Sequence, residues 1–183
     1  MSSAGILEEV EKLQVALSAA MGAGCRTCAD KLYPMLQSLG AAADEIERAL
    51  VQGLRTRGTA AALMQSKAEA LMGRTPAPEP AGRDEVVNKL AELMRVGAGV
   101  ALNSAPNALH HMERARSAGA TEQEIRIAIG TGRLVRSKAQ GFADAEIDEA
   151  CATAESDARV PEVPCPLNAV GDGEPRAESG CCS

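Results

Sequence analysis

Apolar side chains recur at every third or fourth position along most of the chain, which is the spacing of one face of an α-helix. The pattern predicts four helices in the first half, at about 6–23, 25–39, 44–54 and 60–72. It predicts four more in the second half, at about 85–102, 106–118 and 121–135, with a last helix ending near 158. Runs of β-branched residues are short throughout, so the sequence predicts an all-α fold.

Prolines divide the chain into two helical regions and a tail. Alternating prolines stiffen residues 74–83 and exclude helix there, which predicts a linker. We expect a first repeat over 1–73, a second over 84–158, and a disordered tail over 159–183 that contains cysteines.

The two helical regions match when the first is shifted by 79 positions. Glycines and serines coincide as well as apolar residues, as in the pairs Ser38 and Ser117, Gly40 and Gly119, and Gly53 and Gly132. This match predicts two pseudo-symmetric repeats of about four helices each, packed as a pseudo-two-fold pair. Chance similarity between Ala-rich helices is the alternative.

Composition narrows the function classes. Only 1% of residues are aromatic, so the core must be aliphatic, which suits close-packed helices. A net charge of -6 argues against nucleic acid as a partner. No apolar stretch is long enough to span a membrane, and the start of the chain lacks signal-peptide features, which predicts a cytoplasmic protein. There, six cysteines favour redox or metal chemistry.

The segment Gly24-Cys25-Arg26-Thr27-Cys28 carries the clearest chemistry. Two thiols three positions apart at the start of a helix can form a small disulfide or hold a soft metal, and the helix N-terminus favours the thiolate. Lys31 lies one turn after Cys28, where its charge could lower the pKa of the thiol. The alternative is that both cysteines pack as small apolar residues.

The second half has no thiols at the equivalent positions. Ser104 and Asn107 replace Cys25 and Cys28, while His111 follows Asn107 by four residues and Glu92 precedes Ser104 by twelve. An acid, a Cys-x-x-Cys pair about a dozen residues later, and a histidine four residues after the second thiol resemble the carboxymuconolactone decarboxylase-like superfamily. The closer resemblance is to its alkylhydroperoxidase D-like (AhpD-like) branch, over roughly 6–70 and 86–150.

This resemblance implies an all-helical homo-oligomer that reduces peroxides or passes electrons through its CxxC pair. It implies that Cys28 attacks the peroxide, that Cys25 closes the disulfide, and that Glu11 is the nearest match to the relay acid. The relay histidine is absent, because Leu32 occupies its position. The substrate would be a small peroxide or disulfide, and an external dithiol would restore the thiols.

Glu92 and His111 allow two interpretations. The second half is either a degenerate copy that stabilises the fold, or symmetry and oligomerisation bring its acid and histidine close to a CxxC pair. The first is favoured, because equivalent sites in a two-fold pair are rarely adjacent. His110 is expected on the helix surface.

The tail carries a second group of thiols, Cys165, Cys181 and Cys182. A flexible segment ending in adjacent cysteines could pass electrons or a thiophilic ion to Cys25 and Cys28, and Cys181 and Cys182 are possible soft-metal ligands. A passive tail is the alternative. Cys151 is expected in the core, on the face that carries Ile147.

Together these features favour an antioxidant thiol–disulfide oxidoreductase, or alkylhydroperoxidase-like enzyme, with no organic cofactor. One alternative is binding of a thiophilic metal or metalloid through the CxxC pair and the tail. Another is a non-catalytic oligomeric scaffold.

Overall fold

The computed structural model describes residues 7–75 and 88–154, and these form six α-helices with no β-strand. The helices are α1 (Glu9–Ala23), α2 (Arg26–Ser38), α3 (Ala43–Leu71), α4 (Lys89–Ala101), α5 (Ala105–Ser117) and α6 (Glu122–Ala154). The predicted all-α fold is confirmed. Most of the predicted linker and the whole predicted tail lie outside the described residues. Within the described ranges, no helix is long and apolar enough to cross a membrane.

The chain divides into two compact units, residues 1–145 and 146–183. Helices α1 to α5 belong to the first unit. Helix α6 begins in the first unit, and its last turns belong to the second.

Two predicted helix breaks are wrong. The segments 44–54 and 60–72 belong to the single helix α3, and 121–135 and the segment after it belong to the single helix α6. Gly58 does not end α3, because a lone glycine costs a helix only about 1 kcal/mol. Each described half therefore has three helices rather than about four.

Helix bounds repeat between the halves. Helix α5 begins and ends 79 positions after α2, and α6 begins 79 positions after α3. At the contact between α1 and α4, Ser18 Oγ donates to the Met94 carbonyl at 3.2 Å. Val15 packs against Gly97 across the same contact. A shift of 79 positions pairs Ser18 with Gly97 and Val15 with Met94, so it converts one contact into the other. A pseudo-two-fold axis would relate the contacts in this way, although the repeat itself stays a prediction.

Glycines let the long helices approach their neighbours closely. A Cβ on Gly53 of α3 would collide with the Ser18 carbonyl of α1. A Cβ on Gly132 of α6 would lie 2.5 Å from the Gly97 carbonyl of α4. Both glycines are therefore required by backbone-to-backbone packing rather than by an unusual φ.

The second helix of each half packs against the long helix of the other half. Cys28 of α2 belongs to an apolar cluster with Val135 of α6. Correspondingly, Asn107 of α5 reaches the backbone carbonyl of Thr56 in α3, with a 3.5 Å separation. The long helix of each half thus contacts the start of the second helix of the other half.

Candidate functional site

Cys25 and Cys28 form a disulfide, with Cα atoms 5.3 Å apart. Helix α1 ends at Gly24, whose φ of 75° reverses the chain and favours glycine. Cys25 is then the N-cap of α2, and its Sγ accepts a hydrogen bond of 3.2 Å from the Cys28 amide. The predicted thiols are therefore brought together at a helix start, where backbone N–H groups favour negative charge on sulfur.

The surroundings of this disulfide are apolar and mostly small. Cys25 and Cys28 are only 9% and 7% exposed. Their cluster contains Ala16, Ala19, Ala20, Ala23, Leu32, Ala101, Val135, Ala139 and Phe142. Leu32 lies beside the thiols and can neither accept nor donate a proton, so it leaves no relay at the expected position.

Two cationic side chains lie next to this apolar cluster. Lys31 Nζ is 4.6 Å from the centre of the Phe142 ring, an attractive cation–π distance. The guanidinium of Arg57 lies against Gly24, the residue before Cys25, with its Cζ 3.1 Å from where a Cβ would be. Lys31 was predicted as an accessory group, whereas nothing in the sequence places Arg57 here.

Glu11 belongs to a different part of the molecule. Its carboxylate accepts the backbone N–H of Glu8 at 2.9 Å and so caps the start of α1. Ala23, at the other end of α1, is about 18 Å away along the axis at 1.5 Å per residue. The structure therefore does not bring the Glu11 carboxylate to the start of α2, where the cysteines lie.

The second half contains a buried ionic network centred on Glu92. The carboxylate, only 1% exposed, contacts His111 Nδ1 at 2.7 Å, Arg114 Nε at 3.0 Å and Arg95 Nη1 at 3.3 Å. Arg95 also donates through Nε to Gln52 Oε1 of α3 at 2.6 Å. Helices α3, α4 and α5 therefore meet at one polar centre, which includes two of the three predicted accessory residues, Glu92 and His111.

Burial and hydrogen bonding oppose each other in setting the charges of this network. Burial alone would raise the pKa of Glu92, but the bonds from His111 and Arg114 outweigh it and hold the pKa below its usual value. Burial lowers the pKa of His111 more than its bond to Glu92 raises it. His111 is therefore neutral at pH 7, with the Nδ1 proton donated to Glu92 and Nε2 able to accept a proton.

Ser104 and Asn107 occupy the positions equivalent to the two cysteines. Ser104 is the N-cap of α5, as Cys25 is of α2. Asn107 Nδ2 donates to Ser104 Oγ at 3.2 Å and lies near the Thr56 carbonyl. The second half thus has an N-cap at the same place as the CxxC turn, with hydrogen-bonded Ser104 and Asn107 instead of two thiols.

Sequence reasoning missed Arg95, Arg114 and Gln52 as members of the network. The available signal was spacing: Arg95 lies one turn after Glu92, and Arg114 lies three positions after His111. His110 is exposed, as expected.

Among the remaining predicted residues, Cys151 is exposed, so its expected place in the core is wrong. Its helical spacing with Ile147 predicts a core face, but Ile147 is itself 59% exposed, so this face meets no core among the described residues. Cys165, Cys181 and Cys182 lie outside the described residues. Within the described ranges, no group of three or more Cys, His, Asp or Glu side chains is arranged to hold a metal ion.

A scan against protein-family models and searches of curated proteins and of solved structures found no match. The resemblance to AhpD-like proteins therefore stays a prediction from the motif.

Proposed function

We propose that this protein is a thiol–disulfide oxidoreductase that works through Cys25 and Cys28. The observation that carries this proposal is the position of the pair: Cys25 is the N-cap of α2, and its sulfur accepts the amide N–H of Cys28. Such a position stabilises a thiolate, which is the nucleophilic form of cysteine.

Disulfide exchange also fits the apolar surroundings of the pair. In the reduced protein, one thiolate attacks a substrate disulfide, forms a mixed disulfide and releases the first substrate thiol. The second cysteine then attacks the mixed disulfide, closes the Cys25–Cys28 bond and releases the second thiol. An external dithiol reduces the pair again. Neither attack needs a nearby acid as strongly as cleavage of a peroxide O–O bond does.

We assign the first attack to Cys25, because its sulfur receives the backbone hydrogen bond. This differs from the resemblance, which implies Cys28. Peroxide reduction is expected to be slow, since Leu32 replaces the relay histidine beside the pair.

The test uses a background in which Cys151, Cys165, Cys181 and Cys182 are all serine. The reduced protein is mixed with bis(2-hydroxyethyl) disulfide, quenched with an alkylating agent and analysed by mass spectrometry. We expect the unchanged pair to become an internal disulfide. Cys28→Ser should accumulate a mixed disulfide at Cys25, and Cys25→Ser should react much more slowly.

The outcomes separate the assignments. A mixed disulfide that forms faster on Cys25→Ser than on Cys28→Ser would reverse the roles of the two cysteines. If the unchanged pair reacts no faster than free dithiothreitol, the proposed function is wrong. Oxidation by hydrogen peroxide at the rate of an unassisted thiolate would support exchange over peroxidase activity.

A further inference from the structure

We propose that the disulfide substrate of this site carries a negative charge close to its sulfur atoms. This inference rests on the proposed function and specifies its substrate class. It comes from two features of the site, an apolar cluster around the cysteines and cationic side chains at the edge of that cluster.

The first feature is the apolar cluster itself. Apart from the two cysteines it contains only hydrocarbon side chains, so it favours the carbon and sulfur part of a substrate over its charged part. A charged substrate group must therefore remain at the edge of the cluster.

The second feature is the pair of cations at that edge. Lys31 is on α2, one turn after Cys28, and its ammonium group lies over Phe142, a member of the cluster. Arg57 is on α3, and its guanidinium lies against Gly24, immediately before Cys25. The two cations come from different helices, one over a ring of the cluster and the other against the residue before Cys25, so both can attract an anionic substrate towards this part of the molecule.

The first two turns of α2 carry more basic than acidic side chains. Asp30 is the one acid in the first two turns of α2, which also carry Arg26 and Lys31. The chain as a whole has a net charge of -6, so its overall field repels anions. The positive charge at the edge of the apolar cluster therefore attracts anions only in the neighbourhood of the thiols. Charged surroundings of this kind change encounter rates by about 10-fold or more at low ionic strength.

The experiment compares three small symmetric disulfides of similar length: 3,3′-dithiodipropionate, which is anionic, bis(2-hydroxyethyl) disulfide, which is neutral, and cystamine, which is cationic. Each is reduced by the dithiol form of the protein with Ser at the four other cysteines. Each rate is divided by that of dithiothreitol with the same disulfide, because the pKa of the leaving thiol alters the intrinsic rate.

We expect the normalised rates to fall from the anionic to the neutral to the cationic disulfide, spanning about 10-fold at low salt. Added salt should reduce this span, since screening weakens exposed charges. In the double variant Lys31→Met with Arg57→Met, the three normalised rates should lie within about 2-fold of one another. Arg116→Met is the matched control, because it removes a positive charge near the far end of α5, where Arg116 pairs with Glu122. This control should keep the full span.

Each outcome bears on one proposal. Equal normalised rates for the three disulfides, or an unchanged span in the double variant, overturn the charge preference while the oxidoreductase proposal stands. Failure to reduce any of the three disulfides faster than dithiothreitol overturns the oxidoreductase proposal itself. The circular dichroism spectrum of each variant shows whether it is folded, and Lys31→Gln with Arg57→Gln replaces a double variant that is not.

Discussion

The two halves of this protein place opposite chemistry at positions that lie 79 residues apart and that the predicted repeat pairs. In the first half, the turn before α2 holds a disulfide in an apolar cluster, and Leu13 and Leu32 pack against aliphatic neighbours. In the second half, the equivalent turn holds Ser104 and Asn107, and the positions equivalent to the two leucines are Glu92 and His111. The thiols and the acid–histidine pair are thus divided between the halves.

Under the predicted repeat, one helical scaffold accommodates either set of residues at these positions. In the first half, aliphatic side chains fill the positions that the second half uses for a buried carboxylate hydrogen-bonded to a histidine. Burying charges is expensive unless every partner is satisfied, and apolar replacements of such networks are often as stable or more so. The Glu92 network therefore contributes less to net stability than its many hydrogen bonds suggest, although breaking it is costly.

The largest expected effect comes from breaking that network at its centre. Glu92→Leu, which copies Leu13, removes the carboxylate shared by the buried Arg95 and His111 and the partly buried Arg114, and should lower the free energy of unfolding by about 3–5 kcal/mol. Adding His111→Leu and Arg114→Met, which copy Leu32 and Met35, should recover part of this loss. Urea denaturation measures both. A triple variant no more stable than Glu92→Leu would contradict the equivalence of the halves.

The next largest effect tests the close helix packing at a glycine, a feature that both halves have. Gly53→Ala and Gly132→Ala each force a methyl group against a backbone carbonyl of the neighbouring helix, and each should destabilise the protein by about 1–3 kcal/mol. Gly58→Ala on α3 is the control: a Cβ there meets open space, so it should stabilise by about 0.5–1 kcal/mol. A neutral Gly132→Ala beside a damaging Gly53→Ala would show that the two contacts are not equivalent.

The smallest effect concerns pH and separates the halves, because only the second contains histidine. The folded pKa of His111 is lowered from 6.5, so the unfolded chain binds more protons as pH falls through that value, and stability decreases. The lowered pKa of Glu92 adds a further loss below its ordinary 4.5. Between pH 7 and 5.5, the free energy of unfolding should fall by up to about 1 kcal/mol per pH unit.

Two variants assign this pH dependence. His111→Gln should flatten the change between pH 7 and 5.5, whatever its absolute stability. His110→Gln, at the exposed neighbouring position, should keep the slope of the unmodified protein. A slope that survives His111→Gln would mean that another group titrates on unfolding.

Much of the fold could be predicted from the sequence because it depends on local periodicity. Apolar spacing located all six helices, and the glycines at 24, 40 and 119, all with positive φ, end helices as expected. The predicted and observed helices differ at Gly58 and in α6 near Val135, where the apolar pattern weakens locally but the helix continues. A helix continues through such a position when tertiary contacts before and after it stabilise the helix. Those contacts are made with residues that are distant in the sequence.

The site was harder to predict because its members come from distant parts of the chain. The Cys25–Cys28 pair is a short motif and was visible. Arg57, Phe142 and Val135 reach it only through the packing of α3 and α6 against the start of α2, which no spacing rule reveals. Glu11 is the opposite case, a residue that the motif places in the site and the structure does not. Its position in the sequence is the nearest match to the relay acid, but its side chain caps the start of its own helix.

The crossed packing of the halves also has a consequence for synthesis on the ribosome. Cys25 and Cys28 are made early, whereas Val135 and Phe142, which pack against them, come more than 100 residues later. At typical elongation rates of about 5–20 residues per second, the nascent thiols wait on the order of ten seconds for that neighbouring helix. During this interval they are open to exchange with other thiols and disulfides, which the finished apolar cluster restricts.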